Sequence, residues 1–219
     1  MHQSPARHRA AHLVYDSAMD FLILLIPLLG FGLVFKVREE RRRVMLLASH
    51  LQQTSIERLM ERITNGYNKA LEASETAQRE AIWADLKNDE QQLGEQLARL
   101  ADSVAREPKD ATRVCRIALP WLDRLMPQTT FALTDVLRVH AQGLQAVAAN
   151  AAGLSLQDRA FQFLAEMLLM QHTCHWFCRS RTIASARLVA RHQTAYGQVV
   201  EAVSAQTRQT YGRLVGETI

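Results

Sequence analysis

Glycine and proline are scarce, at nine and five in 219 residues, and several kinds of machinery are missing with them. No Gly-rich phosphate-cradling loop, paired-His metalloprotease motif or nucleophile elbow is present. A compact helical chain with so few glycines has little room for a catalytic mouth. Cysteine is rarer still. Cys115, Cys174 and Cys178 make an odd number without the dense spacing of a secreted disulfide scaffold, which points to a reducing compartment. Lysine gives way to arginine: of 26 basic residues 22 are Arg, and the four lysines are Lys36, Lys69, Lys87 and Lys109, the bias of a GC-rich bacterial genome. Sustained alternation of β-branched residues, the mark of half-buried strands, is absent as well.

What is present is ordinary globular material, 48% hydrophobic and 22% charged, which allows one substantial core and excludes a disordered chain. The net charge of +4 is unevenly placed: residues 57–110 carry 12 acids against 8 bases, and residues 111–219 carry 6 acids against 11 bases. An acidic middle and a basic end suit the wet faces of amphipathic helices, or a surface that meets an anionic partner.

One long apolar run breaks this balance: FLILLIPLLGFGLVFKVREERRR, residues 21–43, ends in a burst of charge. At about 1.5 Å per residue Phe21 to Val37 covers roughly 25 Å, slightly short of the ~30 Å hydrocarbon core, and extension through Ala18 and Met19 helps to close the gap. Pro27 and the Gly30/Gly32 pair suit a spanning helix better than a soluble one. A secretory signal would need a small-residue cleavage site after the run, and a buried core helix leaves the flank unexplained, whereas KVREERRR has the form of a stop-transfer flank. The expectation is a single transmembrane anchor over 18–37. Arg7 and Arg9 precede it, while Lys36, Arg38, Arg41, Arg42 and Arg43 follow it. Positive charge stays inside, so the short tail 1–17 is expected in the periplasm and the rest in the cytoplasm, beneath a bacterial inner membrane.

After residue 44, apolar spacings of three and four recur almost throughout, which predicts a nearly all-α chain. Val44, Leu47, Leu51, Ile56, Leu59 and Ile63 form one amphipathic stripe, with no Gly or Pro until Gly66. A second helix is expected from about Asn68 to Arg106. Its half carrying Trp83, Leu86, Glu90, Leu93, Leu97, Leu100 and Val104 keeps three-four spacing with Glu90 as one polar interruption, the grammar of a coiled coil and hence of an antiparallel hairpin or an oligomeric stalk. Pro108 stops it and Asp110 can cap the next helix, which Pro120 kinks and Pro127 ends. Thr129 or Thr130 then opens a helix through Leu133, Leu137, His140, Leu144 and Val147, closed at Gly153. Ser155 N-caps a final helical stretch, with Asp158 completing a weak capping box, and a bend is expected at residues 179–182. The organisation read this way is tail 1–17, anchor 18–37, juxtamembrane and coiled-coil-like helices 38–107, and a helical bundle 108–219.

Three groups of residues could carry chemistry. In HTCHWFC, residues 172–178, Cys174 and Cys178 lie one turn apart with His175 beside them, so two or three soft ligands could face one way, as zinc or a redox sensor would want. A closed zinc site needs four ligands, and Cys115, His140 and His192 have no paired spacing of their own. A core helix built on Phe161, Leu164, Leu168, Trp176 and Phe177 would hold the cysteines as small apolar residues. In RLVARH, Arg187 and His192 are separated by four residues, and this spacing resembles the Arg-to-His motif of the HEPN ribonucleases, helical-bundle dimers whose His and Arg cooperate on RNA. The resemblance covers two residues, and Leu188 stands where that family usually has a polar residue. It implies RNA cleavage dependent on His192. Third, Arg179, Arg181, Arg187, Arg191, Arg208 and Arg213 form a basic run broken by Glu201. With only Tyr196 and Tyr211 nearby, it suits a solvated face, or a surface for the acidic 57–110 segment or for anionic lipid, better than nucleic acid.

The reading that accounts for most of these features is a membrane-anchored helical interaction or scaffold subunit of an envelope assembly of secretion, conjugation or defence type, acting by protein contact without a cofactor. Trp83, Leu86, Leu93, Leu97 and Leu100 are its expected contact stripe, for self-association or for other subunits. A metal or redox sensor through Cys174, His175 and Cys178, and a HEPN-like ribonuclease through Arg187 and His192, are the alternatives.

Overall fold

The computed structural model describes the backbone of residues 5–117, 126–150 and 152–217, with side chains from residue 27 onward except 28 and 127. Among the described residues it is predominantly helical. Helices α1 (Pro5–Leu51), α2 (Ile56–Glu72) and α3 (Thr76–Val104) are followed by strands β1 (Arg113–Cys115) and β2 (Thr130–Ala132). Then come α4 (Leu133–Ala148), α5 (Leu156–Cys178), α6 (Arg181–His192), α7 (Tyr196–Ala202) and α8 (Ala205–Val215). The chain forms two compact units, Met1–Arg41 and Arg42–Ile219.

In the first unit Leu29, Phe31, Leu33 and Val34 are 64%, 72%, 63% and 67% exposed, while Phe35 is half-buried. At 100° per residue the four exposed side chains spread over about 200° of the helix circumference. Among the described residues no helix is long and apolar enough to cross a membrane. The side chains of residues 18–26 and 28, about half of the anchor expected over 18–37, lie outside the described residues.

The second unit is built on one core, to which residues from Leu47 to Val215 contribute on both sides of the expected boundary at 107/108. Helices α2 and α3 form an antiparallel hairpin. Ser55 N–H donates to Gln96 Oε1 at 2.5 Å, Arg62 pairs with Asp89 at 2.9 Å and Tyr67 O–H donates to Glu90 Oε1 at 2.7 Å, so the residue numbers run in opposite senses. Helix α4 packs on α3 as well, and α5 packs on α4 and on α2. Gly143 on α4 permits a close approach, since a Cβ there would meet Thr207 Oγ1 on α8 and lie 2.6 Å from Glu166 Oε2 on α5.

Several boundaries differ from the sequence expectations. The stripe from Val44 to Ile63 is split at residues 52–55. Thr54 Oγ1 donates to the Leu51 carbonyl at 2.8 Å, and the Ser55 N–H is taken by Gln96, so side-chain hydrogen bonds compete with the helical ladder where no Gly or Pro is needed. The helix expected from Asn68 is two helices, because Ala73 turns extended and Arg79 Nη2 donates to its carbonyl at 2.8 Å. Asp110 does not cap a helix. The chain instead forms β1, which pairs antiparallel with β2 through Val114 and Phe131. Arg116, just past β1, secures the end of α8 by donating to the carbonyls of Leu214 and Val215 at 3.0 and 2.8 Å, as a cation does well at a helix C-terminus. The expected kink at Pro120 lies outside the described residues.

A 3-10 turn at Pro127–Thr129 and β2 occupy the place where Thr129 or Thr130 was expected to open a helix, and α4 starts at Leu133. Left-handed Asn150 follows its end, with Gly153 left-handed three residues later. Ser155 does cap α5, accepting from the Asp158 N–H at 3.1 Å, although the Asp158 carboxylate takes the Ser155 hydroxyl proton instead of the backbone N–H of a true box. The break at 179–182 is present, with further breaks at left-handed Gln193 and at Ser204, the N-cap of α8.

Candidate functional site

The expected contact stripe is consumed by the chain's own packing. Trp83, Leu86, Leu93, Leu97 and Leu100 are each 6% exposed or less, set between α2 and α4. Glu90, the polar interruption, is fully buried at its centre. Its Oε1 accepts from Tyr67 O–H at 2.7 Å and from Arg159 Nη2 at 3.3 Å, which joins α2, α3 and α5. Burial raises the Glu90 pKa, while the Tyr67 hydrogen bond and the Arg159 charge pull it down. Tyr67 is further enclosed by Trp83 and Phe163, at ring-centroid distances of 5.1 and 6.2 Å.

A different surface is left open. The half-buried Leu164, Leu168, Cys174 and Cys178 of α5 form the floor of a groove of about 1340 Å³, which the last turns of α1, α2 and α6 also line. From Leu164 to Cys178 the floor runs about 21 Å at 1.5 Å per residue. Helices α2 and α6 both pack on α5 and supply charge to the lips: Glu57 and Glu61 from α2, Arg187 and Arg191 from α6. All four are exposed. Arg43, one residue before the groove-lining Val44, donates to the Phe177 carbonyl at 3.4 Å with its guanidinium 5.6 Å from the Phe177 ring centroid.

The HTCHWFC residues divide between this groove and the core. Cys174, His175 and Cys178 line the groove, but among the described residues no group of three His, Cys, Asp or Glu side chains is placed to hold a metal ion. Burial pushes the Cys174 thiol up to about 12, with Cys178 adding to the shift, and burial pushes Cys178 up to about 11. Thiolate ligation or rapid oxidation is disfavoured by that environment. His175 is lowered by burial and then by the charges of Arg187 and Arg191. With Cys178 up from an ordinary 9.0 to about 11, its thiolate fraction at pH 7.5 falls about 100-fold. Maleimide should therefore modify it on the order of 100-fold more slowly than free cysteine. Timed labelling with mass mapping checks this, and labelling at the free-cysteine rate would contradict the buried placement.

Arg187 and His192 both border the groove, five positions apart on α6. No hydrogen bond joins them among the described residues. Burial and the neighbouring Arg191 lower the His192 pKa. The remainder of the basic run serves partly as structure: Arg181 pairs with Glu217 and stacks on Trp176 and Tyr196, 5.4 and 4.8 Å from the ring centroids.

Two further clusters were not legible in sequence spacing. Ser103 Oγ lies 2.6 Å from His50 Nδ1 and Glu107 Oε1 lies 3.1 Å from His50 Nε2, the connectivity of a nucleophile, a base and an acid. Ser103, however, sits in the last turn of α3, where the free backbone groups are carbonyls and repel a developing oxyanion. The trio clasps the end of α1 to the end of α3.

The second cluster lies between α4, α5, α6 and α8. His140 Nε2 donates to Thr173 Oγ1 at 2.9 Å, since that hydroxyl gives its own proton to the Leu169 carbonyl, and His172 Nε2 lies 3.0 Å from Ser185 Oγ. Burial lowers His140 to about 3 and His172 to about 4, aided by the charges of His172 and of Arg181 respectively. Neither imidazole is poised for acid–base work near neutral pH.

Both histidines fold neutral, so their contribution to stability is whole above the ordinary 6.5 and is lost as pH falls from there toward 4. Buried Glu90 and Glu166 are raised and act in the opposite direction. A difference measurement isolates one histidine from the rest. The gap in Tm between the native chain and His172→Gln should narrow between pH 7 and pH 5 by about 2 kcal/mol, roughly 4–8 °C. A gap that does not change with pH would contradict a neutral, desolvated His172.

No protein-family model, curated protein or solved structure matches the chain.

Proposed function

We propose that the protein is a membrane-tethered helical docking subunit of a bacterial envelope assembly, anchored by residues 18–37, with the Arg42–Ile219 unit on the cytoplasmic side and acting by protein contact. The observation that carries this reading is the outward display of Leu29, Phe31, Leu33 and Val34 around a helix, followed at once by Lys36, Arg38, Arg41, Arg42 and Arg43. Large apolar side chains exposed over more than half of a helix circumference are unfavourable in water and favourable in lipid, and the basic flank sets the orientation of such a helix. The anchor raises the concentration of the helical unit at the inner membrane surface. Docking falls to the open groove, because the α3 stripe is already committed to the core.

The test is affinity purification of tagged full-length chain from solubilised membranes, beside a variant lacking residues 18–37. The expected result is one specific protein partner that co-purifies with the full chain and is strongly depleted with the variant. Recovery of the full chain alone from membranes, at native expression, would overturn the docking reading.

A further inference from the structure

Among the open surfaces the groove carries a charge pattern that constrains its occupant. Glu57 and Glu61 stand one turn apart on α2, Arg187 and Arg191 stand one turn apart on α6, and both pairs line the groove. None of the four forms an ion pair or a side-chain hydrogen bond among the described residues, whereas the neighbouring Arg58 donates to Ser55 Oγ at 3.1 Å. Between the lips lie Leu164, Leu168, Cys174 and Cys178, partly buried against the core. A half-covered apolar floor flanked by unpaired charges that repeat at a helical turn on each side has the pattern of the a/d and e/g positions that receive a helix.

We infer that the groove between α2 and α6 binds an amphipathic helix of a partner protein, with an apolar face for the α5 floor, a basic edge for Glu57/Glu61 and an acidic edge for Arg187/Arg191. The volume of about 1340 Å³ exceeds the roughly 300–1,000 Å³ of small-ligand pockets. A floor of about 21 Å accommodates about fourteen residues of helix. A single anionic lipid would place its charge at one end of its chain and leave the glutamate lip unmet. Nucleic acid would be repelled by that lip. The inference rests on the docking reading above and gives it a partner chemistry.

The probes are three designed fluorescent peptides of about 18 residues, each with the same leucine stripe: one with a lysine edge and a glutamate edge, one with lysine on both edges, one with glutamate on both. They are titrated onto full-length protein in phosphatidylcholine nanodiscs, with maleimide labelling of Cys178 as a second readout. The expected result is saturable binding of the mixed-edge peptide, at least about tenfold tighter than either like-edged peptide, with slower labelling of Cys178. In the Arg187→Glu/Arg191→Glu variant both lips are acidic, and preference should pass to the all-lysine peptide. These residues are exposed, so the variant should keep its native melting curve.

Equal affinity for all three peptides, no change of preference in the variant, or no saturable binding would overturn the inference. So would protection of Cys178 by palmitate or anionic vesicles where no peptide protects it, which would make the groove a lipid site. A partner that co-purifies but cross-links to another face defeats this inference and leaves the docking reading intact. Loss of the partner altogether defeats the docking reading itself.

Discussion

Glu90→Ala should destabilise the Arg42–Ile219 unit by about 3–5 kcal/mol, because it leaves Arg159 buried with no counter-charge and Tyr67 O–H with no acceptor. Arg159 is 7% exposed and Tyr67 0%, so neither group can regain water without opening the contact between α2, α3 and α5. Glu90→Gln keeps an acceptor for Tyr67 and should cost less. Arg159→Met combined with Glu90→Gln removes both charges and should recover part of the loss. Urea unfolding followed by far-UV circular dichroism measures all three. If Glu90→Ala lies within about 0.5 kcal/mol of the native chain, as an exposed surface site would, Glu90 is not the hub of the bundle.

The double change Leu93→Lys/Leu97→Lys should abolish cooperative unfolding. Both leucines are 0% exposed. Truncating either to alanine would cost about 2–5 kcal/mol, and burying two unpaired ammonium groups costs more, against a total stability of about 5–15 kcal/mol for a domain of this kind. Had the stripe been an interface between chains, the same variant would give a folded, dispersed monomer. Circular dichroism melts beside sedimentation distinguish the outcomes: loss of the melting transition places the stripe inside the chain, and a native melt with a smaller particle places it between chains.

What the sequence revealed follows from the range of the interactions involved. The all-α class, the Ser155 cap and the break at 179–182 depend on residues a few positions apart, and each was legible. The α3 stripe was also legible as a buried face, but periodicity cannot distinguish packing within one chain from packing between two. Glu90 read as an interruption because its partners lie 23 and 69 positions away. The break at 52–55 was hidden because Thr54 and Ser55 stop the helix through hydrogen bonds, one of them to Gln96. The β1–β2 pair joins segments too short for any alternation to show. The groove needs four separate helices to exist, so its four unpaired charges carried no signal until α2 and α6 were both seen packed on α5.

Alkaline carbonate extraction of membranes from cells expressing the full chain tests the tether. The protein should stay in the carbonate-resistant pellet and be released only by detergent. Recovery as a soluble monomer before extraction, with Leu29, Phe31, Leu33 and Val34 protected inside its own fold, would contradict it.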